Sequence, residues 1–228
     1  MIVTLDALGT LVRLQDPAPL LAAELAVRGV RASERQAKGA MAQEIAYYRA
    51  HHDMARDEAS LALLRERCSA VLRDALAAAG VDAGALTAPE LLDALLASLR
   101  FSAYPDAPDA LRDLRSAGHR LVVVSNWDVS LHEALRTTGL AALVDGAISS
   151  AEAGAAKPDA RIFQRARELA GAPSLGGLHA GDSLEHDVAG ALAAGLRPVL
   201  VARGGRPDGV PAGVAAVASL AELAMLAA

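Results

Sequence analysis

The chain is short of aromatic residues, of cysteine and of long apolar runs. Only 3% of its 228 residues are aromatic, so its cores must be built from aliphatic side chains. The single cysteine, Cys68, excludes an internal disulfide, and its place in a helical apolar pattern predicts a packed thiol rather than a nucleophile. No apolar run reaches the ~18 residues that a membrane-spanning helix needs, so we expect no membrane partner.

The chain also lacks an excess of positive charge. Its 22 basic and 27 acidic residues give a net charge of −5, which offers no general attraction to nucleic acid or to an acidic membrane. A composition that is 53% apolar argues against disorder. The sequence enters an apolar segment at Ile2 without a basic region or a cleavage site. We therefore expect a cytoplasmic protein, a monomer or a homodimer, whose partner is a small molecule.

The order of the predicted elements indicates two structural units. Residues 2–5 form a β-branched and apolar run that predicts a buried strand of a parallel sheet. Helical patterns without a convincing strand fill residues 16–99, and strand–helix alternation begins at Tyr104. The predicted units are an α/β core (1–14 and 101–228) and an inserted helical bundle (15–100).

The positions of Gly, Pro and capping residues predict the individual elements. The predicted helices of the inserted segment cover 19–28, 33–51, 57–79 and 88–99. In the α/β part we predict strands at 120–124, 177–180 and 196–201, a short apolar stretch at 143–148, and helices at 105–118, 130–137, 159–170, 185–195 and 219–227. Residues 204–213 are rich in Gly and Pro and predict a surface loop.

Polar side chains occur where the predicted strands end. They are Asp6 and Thr10 after the first strand, Ser125 and Asn126 after the second, Lys157 at the head of a helix, and Asp182 and Asp187 after strand 177–180. Open α/β sheets bind ligands beyond the carboxyl ends of their strands, so we expect these side chains to form one site. Each has a purely structural interpretation by itself, since an Asp before a Gly-Thr turn is often a turn former or a helix cap.

The residue types at these positions suit phosphoryl chemistry. The carboxylates of Asp6, Asp182 and Asp187 are hard oxygen ligands for Mg²⁺, an ion that bridges to phosphate. Lys157, Ser125 and backbone amides at a helix start would hold an anionic group beside them. A carboxylate held against a metal and a lysine can attack phosphorus to form an acyl phosphate. The sequence therefore predicts a Mg²⁺ site and a small phosphorylated or other anionic substrate.

A second candidate site is the pair His51 and His52, followed by Asp53. Adjacent residues of a helix point about 100° apart, so the two histidines cannot chelate a metal as an i, i+4 pair does. Together with Arg49 and Arg56 they either face a substrate or form a solvated helix face.

Four segments resemble the motifs of the haloacid dehalogenase superfamily of hydrolases, in the group that carries a helical cap between the first two motifs. They are Asp6-Ala-Leu-Gly9-Thr10-Leu11, Val122-Val-Val-Ser125-Asn126, Lys157-Pro158 and Gly181-Asp182-Ser183-Leu-Glu-His-Asp187-Val-Ala-Gly190-Ala. The fourth segment is the most specific, and the resemblance covers nearly the whole chain. It implies a Rossmann-like parallel sheet with helices on both faces, and it implies that residues 15–100 form the cap.

The resemblance also implies a role for each site residue. Asp6 would be the nucleophile and a metal ligand, Lys157 would orient the transferred group, Thr10, Ser125 and Asn126 would bind it, and Asp182 and Asp187 would hold Mg²⁺.

One position departs from the family pattern. The phosphatases of this family usually carry a second Asp two residues after the nucleophile, as general acid and base, and here that residue is Leu8. A leucine cannot transfer protons, and the loss of general acid–base help costs about 10²–10⁴-fold in rate. The family's metal is also held by the backbone carbonyl of this residue, which Leu8 retains, so Leu8 joins the implied metal ligands.

Three hypotheses about function stay open. The first is a Mg²⁺-dependent hydrolase of a small phosphorylated metabolite, which works slowly or takes its acid from elsewhere. The second is a metal-independent 2-haloacid dehalogenase in which Asp6 displaces halide. In that group the position of Leu8 is usually aromatic and not Asp, but a metal-free site would not need Asp182 and Asp187. The third is a non-catalytic protein that binds a phosphorylated ligand, and Leu8 is its only support.

Overall fold

The computed structural model describes residues 1–171 and 176–227. The chain divides into two compact units. The α/β unit comprises Met1–Arg13 and Ser102–Ala228, and the helical unit comprises Leu14–Phe101. None of the helices in the described ranges is long and apolar enough to cross a membrane.

Strands and helices are numbered in chain order. The strands are β1 (Ile2–Leu5), β2 (Val12–Leu14), β3 (Phe101–Ala103), β4 (Arg120–Ser125), β5 (Gly146–Ser149), β6 (Gly177–Gly181), β7 (Arg197–Val201) and β8 (Ala215–Val217). The α-helices are α1 (Pro17–Val27), α2 (Glu34–His51), α3 (Glu58–Ala78), α4 (Ala88–Ser98), α5 (Ala107–Ser116), α6 (Leu131–Thr137), α7 (Ser150–Ala153), α8 (Ala160–Leu169), α9 (Ala189–Ala193) and α10 (Leu223–Leu226).

The α/β unit is built on a six-stranded sheet in the order β5-β4-β1-β6-β7-β8. Every neighbouring pair in it is parallel. The first strand therefore lies in the middle, with Ile2 opposite Arg120 on one side and Gly177 on the other. A separate two-stranded sheet joins β2 and β3. Because the six strands run the same way, the residues that follow them meet at one edge of the sheet.

Both faces of the sheet are covered. On one face Val122 and Val124 of β4 pack in a cluster with Ile162 and Phe163 of α8. Side chains alternate along a strand, so Val123 points to the opposite face, and it too has no exposed surface. The predicted Rossmann-like parallel sheet with helices on both faces is confirmed, because only a sheet covered on both sides buries every residue of a strand.

The helical unit has its own aliphatic core and well-capped helices. Capping boxes formed by Ser33, Asp57 and Thr87 begin α2, α3 and α4, which satisfies backbone amides that have no partner within the helix. The core includes Leu21, Leu25, Leu72, Leu76, Leu91 and Leu95. Cys68 is a buried thiol in this core, as its apolar pattern predicted.

Several elements differ from the sequence-based prediction. The strands β2, β3 and β8 and the helix α7 were not predicted, and each has only three or four residues. The predicted helix 185–195 begins as a π-helical turn at Leu184–Val188 before α9. The predicted helix 219–227 is a 3₁₀ turn at Leu220–Glu222 followed by the four-residue α10. The apolar stretch 143–148 becomes a 3₁₀ turn and β5.

A carboxyl group lies inside the helical unit. Glu44 of α2 is 3% exposed, and it is hydrogen-bonded to the Cys68 thiol of α3. Burial raises the pKa of Glu44 to about 7, and the Cys68 contact opposes this only in part. The protonated, neutral side chain is therefore the form that fits the helical core.

Glu44 makes the stability of the helical unit depend on pH. Its folded pKa, about 7, lies above the unfolded value near 4.5. The stability that protonation provides is therefore complete below pH 4.5 and is lost as pH rises through about 7.

We expect Glu44→Gln to raise the free energy of unfolding at pH 8 by on the order of 2–3 kcal/mol, with little gain at pH 4.5. Urea unfolding at both pH values measures this difference, with the exposed Glu66→Gln as the matched control. A gain for Glu44→Gln that is equal at both pH values would contradict the assignment.

Candidate active site

Asp6 follows β1 at the carboxyl edge of the sheet. Its backbone amide donates to the Ala180 carbonyl at 2.9 Å, which extends the β1–β6 pairing by one residue. Its side chain is 8% exposed, and Oδ1 accepts hydrogen bonds from Ser125 Oγ at 3.1 Å and from Lys157 Nζ at 2.6 Å. Burial raises the pKa of Asp6 to about 6, although Lys157 opposes the shift. A buried carboxyl with two side-chain donors is not the environment of a simple turn former.

The turn after Asp6 is tight. The Ala7 carbonyl accepts hydrogen bonds from the backbone amides of residues 10–12. Gly9 has φ +89°, and a Cβ at this position would overlap the Asp182 carboxylate. Glycine is required here both for the left-handed backbone and for the close approach of the Asp182 carboxylate.

Leu8 and Thr10 lie in this turn in different environments. Leu8 is 39% exposed, whereas Thr10 has no exposed surface. Thr10 Oγ1 has no hydrogen-bond partner within the described part of the chain, and the Thr10 carbonyl accepts from Arg203 Nη2 at 2.8 Å. The exposed position two residues after Asp6 thus carries a side chain that cannot exchange protons.

Asn126 is used to hold Lys157. Asn126 Nδ2 donates to the Lys157 carbonyl at 3.0 Å, and the Lys157 amide donates to Asn126 Oδ1 at 2.7 Å. The Lys157–Pro158 peptide bond is cis. Because both polar ends of the Asn126 side chain are engaged by one backbone, this geometry favours a positioning role over the predicted contact with the transferred group.

Lys157 joins two of the predicted carboxylates. Its ammonium group lies 2.6 Å from Asp6 Oδ1 and 2.6 Å from Asp187 Oδ1, and its side chain is 2% exposed. Burial alone would lower the pKa of Lys157, but the two carboxylates outweigh it and the pKa is raised. Lys157 therefore remains charged at neutral pH.

Asp187 lies on the π-helical turn and is engaged through both oxygens. Oδ1 accepts from Lys157 and faces His179, and Oδ2 accepts from the Ser183 amide at 2.9 Å. Burial by itself would raise the pKa of Asp187, but Lys157 and His179 hold it well below its usual range. Among the described residues Oδ2 has a single donor, so one of its lone pairs stays available to a further ligand.

Asp182 completes a group of three acids. Asp6, Asp182 and Asp187 each offer a carboxylate oxygen, and these oxygens lie within 4.8 Å of one another. Burial and the neighbouring Asp187 raise the pKa of Asp182. The positive charge of Lys157 offsets one of the three carboxylates, so the group keeps two formal negative charges. Carboxylate oxygens with an excess of negative charge are suitable ligands for Mg²⁺. It is the only such group of three His, Cys, Asp or Glu residues in the described ranges.

His179 is a site residue that the sequence interpretation missed. It lies on β6 opposite Thr4 of β1 and has no exposed surface. Its Nε2 is 3.0 Å from Asp187 Oδ1, its Nδ1 is 2.9 Å from Thr4 Oγ1, and its ring meets the edge of Phe163. A histidine inside an apolar strand two residues before the fourth motif is the signal that could have identified it. Its contacts indicate that it orients Asp187 from behind the cluster.

The histidine pair of the helical unit is not in a metal-binding group of the described residues. His51 Nδ1 is 2.7 Å from the Tyr47 carbonyl, and the His51 ring stacks on Tyr47. His52 Nδ1 is 3.0 Å from Asp53 Oδ1. One nitrogen of each ring is thus engaged within the unit.

Comparisons with known proteins address the family. A family model described as haloacid dehalogenase-like hydrolase matches residues 1–195. Haloacid dehalogenase-like hydrolase domain-containing protein 3 of Bos taurus is 31% identical over 210 residues, which is 88% of this chain and 81% of that protein. A phosphoserine phosphatase of Thermus thermophilus is 36% identical over 146 residues, 63% of this chain and 57% of that protein.

Solved structures agree with the sequence comparison. The crystal structure of a dehalogenase matches with a TM-score of 0.70 and 26% identity, and the match covers 99% of this chain and 96% of that chain. The family match contains Asp6, Ser125, Lys157, Asp182 and Asp187. The resemblance predicted from four short segments is therefore confirmed, and the chain belongs to the haloacid dehalogenase-like hydrolases.

Proposed function

We propose that the chain is a Mg²⁺-dependent phosphatase for a small phosphorylated metabolite, with Asp6 as its nucleophile. The observation that carries this proposal is the Lys157 ammonium group, which contacts Asp6 and Asp187 at 2.6 Å within the group of three carboxylates. A cation site beside a buried nucleophile and a fixed lysine suits an anionic substrate. The name of the phosphoserine phosphatase relative supports the same chemistry.

The metal ligands would be Asp6, Asp182, Asp187 and the backbone carbonyl of Leu8. When bound, Mg²⁺ would neutralise part of the phosphate charge and polarise the phosphoryl group. Lys157 would add a second positive charge on the Asp6 side of the substrate.

Asp6 would attack phosphorus through its Oδ2 oxygen. Both side-chain hydrogen bonds to Asp6 end on Oδ1, so Oδ2 has no protein donor within the described ranges. An O–P bond forms from Asp6 while the ester O–P bond breaks, and the leaving oxygen takes a proton from solvent water. Water then attacks the aspartyl phosphate and releases inorganic phosphate, which restores the carboxylate. Leu8 supplies no proton at either step, so good leaving groups should react best.

The other site residues would support these steps. Asn126 would position Lys157 through the two hydrogen bonds to its backbone. Ser125 holds Asp6 Oδ1, and we propose that its hydroxyl, together with Thr10, also contacts the transferred group. We further propose that the segment of residues 15–100 acts as the cap that selects the substrate.

A release assay tests the proposal. Free phosphate and free halide would be measured on p-nitrophenyl phosphate, alkyl phosphates and 2-haloacids, each with Mg²⁺ and with a chelator. We expect phosphate release that requires Mg²⁺ and no halide release. Halide release without Mg²⁺ would replace this proposal with the dehalogenase hypothesis, and Mg²⁺ binding without any turnover would favour a binding protein.

Asp182→Asn should weaken Mg²⁺ binding. One of three close carboxylates is lost, so we expect the dissociation constant measured by calorimetry to rise about ten-fold or more. Asp128→Asn is the matched control, because Asp128 is also a buried aspartate but lies outside the group of three. Equal affinity in wild type and Asp182→Asn would remove the metal from the mechanism.

Leu8→Asp should raise phosphatase turnover by about ten-fold or more, because it restores an acid and base beside the nucleophile. The gain should be larger on alkyl phosphates than on p-nitrophenyl phosphate, whose leaving group needs little protonation. The position is 39% exposed, so a carboxylate can be solvated there. Steady-state kinetics on both ester types measure the effect.

Leu8→Asn is the matched control for this substitution. It introduces a polar side chain of the same size as Asp that cannot transfer a proton, so it should give no gain. A folded, Mg²⁺-binding Leu8→Asp protein with an unchanged or lower rate would argue that the site does not perform phosphoryl transfer.

A second candidate function is 2-haloacid dehalogenation. Leu8 favours it, because a proton-transferring residue at that position is not part of halide displacement. The structural match to a dehalogenase is compatible with it. The group of three carboxylates counts against it, because two of them have no task in a metal-free displacement.

A further inference from the structure

Arg203 follows β7 and lies outside all four motif segments. Its Nη2 donates to the Thr10 carbonyl at 2.8 Å. Its guanidinium group also pairs with both carboxylate oxygens of Asp106 at 3.0 Å and lies 3.7 Å from the centre of the Tyr104 ring. One planar group therefore makes a bidentate ion pair, a backbone hydrogen bond and a ring contact at the same time, and a lysine ammonium lacks the planar fork that this combination requires.

The Asp106 carboxylate is itself held in place. Asp106 Oδ2 accepts from Ser219 Oγ at 2.7 Å and from the Leu220 amide at 2.9 Å. Burial alone would raise the pKa of Asp106, but the hydrogen bonds from Arg203 and Ser219 outweigh it and lower the pKa. The carboxylate is thus charged at neutral pH, and it fixes the guanidinium of Arg203 against the turn that follows Asp6.

That turn is anchored from outside at two consecutive carbonyls. Arg203 donates to Thr10, and the Tyr104 amide donates to the Leu11 carbonyl at 2.9 Å. The internal hydrogen bonds of the turn all end on Ala7 or run between Gly9 and Val12. The turn is also packed, since Ala7, Thr10 and Leu11 have no exposed surface, and the two outer bonds fix its carbonyl side against Arg203 and Tyr104.

We propose that Arg203 is a positioning residue of the active site. It holds residues 7–12, and through them it holds the Asp6 carboxylate and the Leu8 carbonyl in the geometry that the reaction needs. Its kinetic consequence rests on the proposed function, whereas the anchoring of the turn does not.

Arg203→Lys tests the proposal, since it keeps the charge and loses the paired donors. Hydrogen exchange of the peptide that contains residues 6–14, followed by mass spectrometry, reports on the turn directly. We expect exchange there to become about ten-fold faster, with peptides of β6 unchanged. We expect kcat on p-nitrophenyl phosphate to fall about ten-fold with KM within two-fold, and the Mg²⁺ dissociation constant to rise about ten-fold.

Arg206→Lys is the matched control. Arg206 lies three residues further along the same loop, and its Nη2 makes only a long, 3.5 Å hydrogen bond to the Val214 carbonyl. It should change none of the three readouts. Asp106→Asn is a second variant, which keeps Arg203 but weakens the ion pair that holds its guanidinium group. It should change hydrogen exchange, kcat and Mg²⁺ affinity in the same direction as Arg203→Lys, but by a smaller factor.

Unchanged exchange in residues 6–14 of Arg203→Lys, or of Asp106→Asn if Arg203→Lys does not fold, would overturn the proposal. Faster exchange with unchanged kcat, KM and Mg²⁺ affinity would also overturn the proposal, because the position of the turn would then have no effect on the active site. If the wild type does not hydrolyse phosphate esters, the proposed function is wrong. Hydrogen exchange in residues 6–14 and the Mg²⁺ dissociation constant then still decide the role of Arg203.

Discussion

Asp6→Asn is expected to lower turnover by roughly 10³-fold or more while the fold is retained. The amide cannot form the covalent intermediate. It is nearly the same shape as the carboxyl group, and burial already raises the pKa of Asp6 to about 6, so a neutral side chain is tolerated there. Lys157 keeps Asp187 as a partner. Steady-state kinetics on p-nitrophenyl phosphate would measure the loss of turnover, and thermal unfolding would show whether the fold is retained.

The control for Asp6→Asn is Asp128→Asn, which neutralises another buried aspartate outside the group of three carboxylates. Mass spectrometry of the wild type during turnover should place phosphate on the peptide that contains Asp6. Asp6→Asn protein with near-wild-type hydrolysis would show that another residue is the nucleophile.

Lys157→Met is expected to damage both stability and activity. The substitution removes the cation that contacts Asp6 and Asp187 and leaves three carboxylates within 4.8 Å of one another. Leaving buried charges without a partner costs about 3–5 kcal/mol, so the free energy of unfolding should fall by about that amount in the absence of metal. Urea unfolding and phosphate release measure the two effects.

Mg²⁺ should restore part of the stability of Lys157→Met but little of its activity. A bound cation replaces the lost positive charge, whereas the hydrogen bond that orients Asp6 is not replaced. Lys38→Met is the matched control, because Lys38 is the other lysine of the chain and is exposed. Stability of Lys157→Met equal to that of wild type would mean that the carboxylates are not charged together in the folded protein.

The sequence predicted the elements whose pattern is local. Residues 2–5 form a run that no helix period explains, and the capping residue Ser33 predicted the start of α2 to within one residue. The three-residue strands β2, β3 and β8 are too short to show a period, and their pairing is decided by neighbours far along the chain. The π-helical turn depends on the contacts of Asp187 with Ser183 and Lys157, which no local pattern encodes.

The same distinction holds for the site. Acids and a lysine at strand ends could be selected from the sequence, because open sheets bring such residues together. The use of Asn126 to hold the Lys157 backbone could not be predicted, because it depends on the path of a loop. His179 and Arg203 were missed for a related reason: their partners, Thr4 and Thr10, lie far away in sequence and come close only when the sheet is assembled.

The central place of β1 has a consequence for synthesis on the ribosome. The strand that precedes Asp6 is translated before the other five strands of the sheet, yet its neighbours begin at Arg120 and Gly177. At about 5–20 residues per second, Gly177 is added on the order of ten to thirty seconds after Ile2. The segment Leu14–Phe101, whose core is internal to it, is complete before either neighbour exists. The nascent chain must therefore keep the apolar strand β1 unpaired at least until Arg120 is made, and no chain that stops before Gly177 can assemble the site around Asp6.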